Sequence, residues 1–280
     1  MKIPFLPLPN PMNRFPFRAF VIVLSLAGFL TVPVVRAKDV PQVPGGGGAV
    51  PTAEAASGAP AKRSASAEGG EPKFIEGKNG KAIEFGPEAA MIRIPAYPEL
   101  RPLDGTTVCA WVRPTVESKG KQTVFRIEDG GNRRFMAIGG AKGIWGLWFG
   151  LGIGGKYTEI SAAHDPAKLI DGQWHHVAGT FDGKQMRLYI DGKKVSELEQ
   201  EGKLAAGKPT IGSIGAYNGR HEPFNGGIDD MRVYIGALTE EQVAQLVAGK
   251  VEPVPEAVVG HWKLDGNLDN EADRNAEAPK

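Results

Sequence analysis

The sequence has only one cysteine, Cys109, among 280 residues. An intrachain disulfide is therefore excluded, and the apolar neighbours Val108, Ala110 and Trp111 indicate that Cys109 is a small buried residue. An excess of positive charge is also missing, since 33 lysines and arginines stand against 32 aspartates and glutamates. Proteins that bind nucleic acids usually carry a basic excess, so no nucleic-acid partner is expected.

A long uninterrupted apolar run is absent as well. The apolar segment over residues 19–35 contains Gly28 and Pro33 and is shorter than the ~20 residues that a membrane-spanning helix needs. Arginines precede it and small residues follow up to Ala37, which is typical of a secretory signal peptide. We therefore predict that residues 1–37 are a signal peptide, with an uncleaved anchor as the alternative.

Cleavage would change the charge of the protein and its location. The first 37 residues contain four basic residues and no acidic ones, so 29 basic and 32 acidic residues would remain, a net charge of −3. The predicted location is secreted, periplasmic or in the cell envelope. The cleaved protein is not expected to be an integral membrane protein.

Helical periodicity is nearly absent from the rest of the chain. Residues 38–72 are rich in Ala, Gly, Pro and Ser and are predicted to be a disordered linker. From Lys73 onward, short β-branched and aromatic runs alternate with Gly, Asp-Gly and Pro, which predicts a sandwich of many strands. One short helix is predicted, with Thr239 as its cap and Gly249 at its end.

The clearest pattern is the segment 171–195, in which three Asp-Gly steps separate two strand-like runs, as in tight hairpins. This segment resembles the central hairpin of laminin-G-like and pentraxin-like domains of the concanavalin A-like superfamily. Residues 80–85, 106–114 and 224–234 are similar, in the same order, to other strands of that family. The resemblance covers about residues 73–250. It implies an all-β, antiparallel β-sandwich of jelly-roll topology with one short C-terminal helix.

The C-terminal part, residues 251–280, begins as a proline-containing linker. Residues 258–269 then resemble the first strand of the same family. Two interpretations are open: a second repeat begins here, or this strand completes the first domain.

Two patterns point superficially to catalysis or to a metal. Glu197, Glu199 and Glu201 would share one face of a strand, as in the acid array of retaining β-glucanases, but the Asp found between the two Glu residues of that motif is missing. His175 and His176 are adjacent, and adjacent strand residues point to opposite faces, so the pair cannot chelate one metal ion. No catalytic residues are predicted, and the chain is not expected to be an enzyme.

Calcium is the one cofactor that the resemblance suggests, because many relatives bind it. Asp229 matches an acidic position in their closing strand, and Asn225 could add an oxygen. Residues 86–88, Gly-Pro-Glu, replace the Asp-Gly-Asp that relatives often carry, which removes one ligand from the six to eight oxygens that calcium prefers. The alternative is that Asp229 caps backbone amides in a turn.

A ligand-binding surface is predicted around Trp148, which shares its strand face with two glycines and could form a flat platform for a sugar. Tyr217, Arg220 and His221 lie in a predicted loop, where functional residues are common. We expect a non-catalytic binding or adhesion module for a glycan or an extracellular protein. A glycoside hydrolase of the same superfamily and a structural spacer are the alternatives.

Overall fold

The computed structural model describes residues 64–89, 91–208, 210–218, 221–250 and 252–272. The predicted signal peptide and most of the predicted linker lie outside the described residues. The described residues form fifteen strands, one α-helix and four short 3-10 turns. The strands are β1 Ser66–Glu68, β2 Lys73–Glu76, β3 Lys81–Phe85, β4 Met91–Ile94, β5 Thr106–Pro114, β6 Lys121–Ile127, β7 Arg134–Ala141, β8 Ile144–Ile153, β9 Lys156–Ala163, β10 His175–Phe181, β11 Gln185–Ile190, β12 Lys193–Glu199, β13 Gly212–Ile214, β14 Gly226–Ile235 and β15 Val258–Trp262.

The strands form two antiparallel sheets. The first has the order β1-β4-β13-β6-β7-β8-β9, and the second has the order β12-β11-β10-β5-β14-β3-β2, with β15 also paired to β14. The helix α1, Glu240–Val247, is the one α-helix of the described residues, and a capping box formed by Thr239 and Gln242 begins it. The predicted antiparallel β-sandwich with one short helix is therefore confirmed.

The period of two along each strand divides the apolar residues between two layers. Side chains such as Phe125, Phe149 and Val177 fill the space between the sheets. The outer face of the second sheet is covered by α1, where Val243 contacts a cluster that includes Cys109. Cys109 is buried, as its neighbours predict, and burial raises the pKa of its thiol to about 12.

A β-bulge in β14 changes the alternation that the sequence predicts. Strict alternation along β14 predicts that Asp229 shares a face with Met231 and Val233, but Ile228 joins those two residues in the core between the sheets. The register shifts between Asp229 and Arg232, and Asp230 takes a left-handed conformation with φ 50°. The extra residue reverses the alternation at that point, so the face that strict alternation predicts for Asp229 is wrong.

The same bulge lies where two strands meet along one edge of β14. Residues 226–228 of β14 pair with β3, and residues 231–234 pair with β15. Trp262 in β15 is fully buried in the core between the sheets. The C-terminal segment therefore adds a strand beside β14.

The N-terminal boundary of the domain is earlier than predicted. Strand β1 pairs with β4, although Ser66–Glu68 falls within the predicted linker. The Ala65 amide donates a hydrogen bond of 2.8 Å to the Leu268 carbonyl, and the Ser64 hydroxyl donates one of 2.6 Å to Asp269. Backbone pairing orders this segment despite its small, polar side chains, which is why composition alone predicts a linker there.

Candidate functional site on the outer face of the first sheet

The outer face of the first sheet carries aromatic and charged side chains in one cross-strand row. In this row the partners follow each other from β9 to β4: Glu159, Gly150, Phe135, Arg126, Ser213 and Arg93. Trp148 lies on the same face and forms a cluster with Phe135 and Ala137, apart from the core between the sheets. Strand alternation therefore gathers residues from six strands on one surface.

Cations and aromatic rings alternate along this surface. The Arg126 guanidinium lies 3.6 Å from the centre of the Tyr217 ring and 5.0 Å from that of Phe135. The Lys121 ammonium lies 5.2 Å from the centre of Phe135 and 4.3 Å from that of Trp148. These distances are typical of cation–π contacts, so the five side chains form one continuous row, which we call the stacked row.

Glycines make room for the large side chains. Lys121 pairs with Gly139, and Gly139 pairs with Gly146, so the next two strands, β7 and β8, place no side chain beside Lys121 on that line across the sheet. Gly150 lies beneath Tyr157, and a Cβ at this glycine would come 2.1 Å from the tyrosine hydroxyl. Lys121 and the Tyr157 ring can therefore lie over the sheet instead of projecting from it.

A carboxylate joins these two residues. Glu159 accepts hydrogen bonds of 2.6 Å from Lys121 and 2.7 Å from the Tyr157 hydroxyl. Burial alone would raise the pKa of Glu159, but these two hydrogen bonds outweigh it and hold the pKa below its usual value. Burial, together with the bond to Glu159, raises the pKa of Tyr157, so its hydroxyl stays a proton donor.

The remaining charges on this face are also paired. Arg126 donates from Nε to Glu128 at 2.7 Å and from Nη1 to Glu222 at 2.9 Å. Arg133 lies 4.8 Å from the centre of the Tyr157 ring and 3.4 Å from Glu128. Of the five tyrosines of the chain, Tyr157 and Tyr217 are half-buried and the other three are buried.

Three of the four predicted ligand residues, Trp148, Tyr217 and His221, lie on this surface, but not in the roles expected. Trp148 is only 2% exposed, its indole N–H donates to the Gly139 carbonyl at 2.8 Å, and Lys121 covers its ring. The prediction of an open Trp148 platform is therefore wrong. Tyr217 and His221 pair through two backbone hydrogen bonds, with ring centres 5.8 Å apart, and His221 is exposed. Arg220 lies outside the described residues.

Sequence reasoning missed Lys121, Arg126, Phe135, Tyr157 and Glu159. The sequence did contain a signal for Tyr157 and Glu159. Together with Ser161 they occupy every second position in β9, while Ile160 and Ala162, on the opposite face of the strand, are buried. This alternation marks a strand face that is not core. The contacts of Lys121 carry no such signal, because they depend on which strands become neighbours.

The two residues predicted to bind calcium contact different parts of the structure. Asp229 accepts hydrogen bonds from the backbone amides of Lys78 at 2.7 Å and Asn79 at 3.0 Å, the turn-capping alternative. Asn225 instead donates to Gln122 and to the Pro223 carbonyl.

The donor set around Asp229 does not fit calcium. The other oxygen of Asp229 is buried without a partner, and burial raises the pKa of this carboxyl to about 6. Among the described residues no three His, Cys, Asp or Glu side chains group as metal ligands. One free carboxylate oxygen is far from the six to eight that calcium prefers.

The glutamates of the glucanase-like pattern lie at a sheet edge. Glu197 and Glu199 belong to β12, the exposed edge strand of the second sheet, and Glu201 follows it. Glu197 forms a surface ion pair of 2.6 Å with Lys194, and this pair holds the pKa of Glu197 below its usual value.

Over the described part of the chain, no helix is long and apolar enough to span a membrane.

Comparison with known proteins identifies the family. The family model Laminin_G_3, of the concanavalin A-like lectin/glucanases superfamily, matches residues 87–244, more than half of the chain. This chain belongs to that family. The family resemblance that the hairpin and the ordered strands indicate is thereby confirmed. A search of curated proteins found no match to the sequence.

Solved structures with the same fold include several binding domains. The binding domain of Paraclostridial Mosquitocidal Protein 1 is similar with a TM-score of 0.53 and 16% identity, over 64% of this chain and 45% of that one. Tailspike protein 2 of Escherichia coli O157:H7 bacteriophage CAB120 has a TM-score of 0.55 and 16% identity, over 75% and 31%. Both likenesses concern the fold, and this Laminin_G_3 chain spans less than half the length of either protein.

A third structure is also similar in sequence. Domain 4 of AbnA, a GH43 extracellular arabinanase from Geobacillus stearothermophilus, was solved in complex with arabinotriose. It is 27% identical with a TM-score of 0.50, and the match covers 64% of this chain and 82% of that one.

Proposed function

We propose that this Laminin_G_3 chain is a non-catalytic module that acts outside the cytoplasm and binds a glycan on the outer face of its first sheet. The observation that carries the proposal is the pair of half-buried tyrosines, Tyr157 and Tyr217, each held against an arginine. Aromatic faces that are fixed before binding stack on sugar rings without a further loss of side-chain entropy.

Polar groups beside the tyrosines supply hydrogen bonds for sugar hydroxyls. The carboxylates of Glu128 and Glu222 are partly exposed, with 27% and 35% of each side chain accessible. Exposed His221 adds a ring nitrogen next to Tyr217. The sugar-bound state of the similar AbnA domain supports a glycan as the ligand over a protein surface.

A binding titration after a glycan-array screen tests this proposal. Tyr157→Ala and Tyr217→Ala should each weaken binding roughly tenfold or more, because an aromatic stacking contact is lost. Gly150→Ala should weaken it too, since the added Cβ displaces Tyr157. Gly86→Ala is the matched control, because a Cβ at Gly86 would meet nothing within 4 Å.

Other results would favour the alternatives. Unchanged binding by both tyrosine variants would contradict this site, and saturable binding to a protein but to no glycan would contradict the ligand class. Absence of saturable binding to either would favour a spacer. A reducing-sugar assay with turnover that Glu197→Gln or Glu201→Gln abolishes would show a glycoside hydrolase.

A further inference from the structure

The cations on the outer face of the first sheet already have carboxylate partners. Arg93 is paired with Glu68, Lys121 and Lys142 with Glu159, Arg126 with Glu128 and Glu222, and Arg133 with Glu128. Each of these five cations therefore has a carboxylate partner within the protein. A ligand that binds here therefore contacts cations whose charge is already compensated by a carboxylate.

All three nitrogen atoms of the Arg126 guanidinium are bonded to carboxylates. Its Nε and Nη2 atoms bond to Glu128, and its Nη1 atom bonds to Glu222. Its planar faces lie near the rings of Tyr217 and Phe135. A carboxylate ligand could form the usual two-pronged contact with this guanidinium only by displacing a glutamate.

Lys121 is equally unavailable. Its ammonium is bonded to Glu159 and lies over Trp148 and Phe135, and only 14% of its side chain is exposed. The carboxylates of Glu128 and Glu222 face solvent beside the tyrosines, and they accept hydrogen bonds and repel anions. The Arg133 side chain is also 31% exposed, but its guanidinium is paired with Glu128 and lies near the Tyr157 ring.

We infer, on the basis of the proposed glycan function, that the ligand is a neutral glycan and that this site rejects uronates and other acidic sugars. Neutral hydroxyls donate to Glu128 and Glu222 while the sugar ring lies on a tyrosine. An acidic sugar places its charge beside these glutamates, and the described cations of this face are already paired with carboxylates, so the contact is unfavourable and is the source of the selectivity.

The experiment uses matched oligosaccharides that differ only at carbon 6, which carries a hydroxyl in one member and a carboxylate in the other. Cellotriose with its glucuronate counterpart and mannotriose with trimannuronate are suitable pairs. Affinities are measured by calorimetry at about 20 mM and about 300 mM NaCl, where screening differs strongly. The neutral member should bind roughly tenfold tighter or more, and its affinity should change less than about twofold with salt.

Two variants separate the role of Arg126 from that of net charge. Glu128→Gln with Glu222→Gln leaves the Arg126 guanidinium without a carboxylate to balance its charge and should raise affinity for the acidic member roughly threefold or more. Glu197→Gln with Glu199→Gln removes the same charge from the edge strand β12 and should leave the selectivity unchanged. Thermal unfolding confirms that both variants fold, and the salt series on the unaltered chain tests the inference without them.

Three outcomes would contradict the inference. An acidic member that binds as tightly as its neutral counterpart and weakens with salt would overturn it while leaving the glycan function intact. An equal shift in selectivity in both double variants would assign the effect to net charge and overturn the role of Arg126. Absence of saturable binding to any glycan would instead overturn the proposed function itself, and the inference with it.

Discussion

The Lys121 ammonium and the Glu159 carboxylate lie 2.6 Å apart although their strands, β6 and β9, are separated by β7 and β8. The lysine crosses these two strands above Gly139 and the Trp148 ring. Only 14% and 9% of the two side chains are exposed, so the pair is largely shielded from water. The pair holds Lys121 over the sheet at the end of the stacked row. The same Glu159 carboxylate accepts a hydrogen bond from the Tyr157 hydroxyl and so holds that ring in place.

Loss of the lysine charge should therefore destabilise the fold. Lys121→Met keeps an apolar chain over Trp148 but leaves Glu159 buried with less compensation, which should lower the free energy of unfolding by about 3 kcal/mol. Urea denaturation measures the change. Lys142→Met removes the exposed, 3.4 Å partner of Glu159 and should cost less than about 1 kcal/mol.

A double-mutant cycle tests whether the two side chains act as a pair. Adding Glu159→Gln to Lys121→Met should recover part of the lost stability, because the uncompensated buried charge is then gone. Strictly additive effects would show that the Lys121–Glu159 contact does not contribute as a pair.

His176 should make the protein less stable in acid. Burial lowers the pKa of its imidazole to about 4, against about 6.5 in an unfolded chain, and a neutral side chain packs edge-on to Trp111 at 5.3 Å. The unfolded state therefore binds more protons, so stability is lost as the pH falls from about 6.5 toward 4, on the order of 3 kcal/mol.

Urea denaturation at about pH 7 and about pH 4.5 measures this loss. His176→Phe keeps an aromatic ring beside Trp111 and should lose clearly less stability on acidification than the unaltered protein. Equal losses in the two proteins would assign the acid sensitivity to other groups.

Trp262 tests the role of the C-terminal strand. If β15 belongs to this domain, Trp262→Ala leaves a cavity in the core between the sheets and should cost about 4 kcal/mol. Lys263→Ala on the same segment, with more than half of its side chain exposed, should change stability by less than about 0.5 kcal/mol. Equal, small effects of both changes in thermal or urea unfolding would favour a strand that belongs to a second repeat.

A substitution of Asp229 tests whether this residue caps a turn or binds calcium. Asp229→Asn keeps an acceptor for the amides of Lys78 and Asn79 and removes a charge that burial disfavours, so stability should change by less than about 1 kcal/mol. Calcium should not shift the melting temperature of either protein. A bound ion present at a hundred times its Kd would add about 2.7 kcal/mol, and such a rise confined to the unaltered chain would show a calcium site.

Local patterns predict the fold well but predict the surface poorly. The hairpin over residues 171–195 is recognisable because its turns require residues that tolerate positive φ, and the cap at Thr239 depends on residues three positions apart. The burial of Trp148 is different, since Lys121 covers it from a strand that is distant in sequence. The bulge at Asp230 escaped prediction because an aspartate in left-handed conformation leaves no periodic trace.

The contacts of Ser64 and Ala65 with Asp269 and Leu268 have a mechanical consequence. These contacts bring both ends of the described domain together. A force that pulls the two ends apart would therefore act first on these hydrogen bonds and would break them one after another. The tyrosine surface is carried by β9 and by the loop after β13, not by either end segment. The domain can therefore be joined to a chain at one anchor point while the surface that holds Tyr157 and Tyr217 carries little of the load.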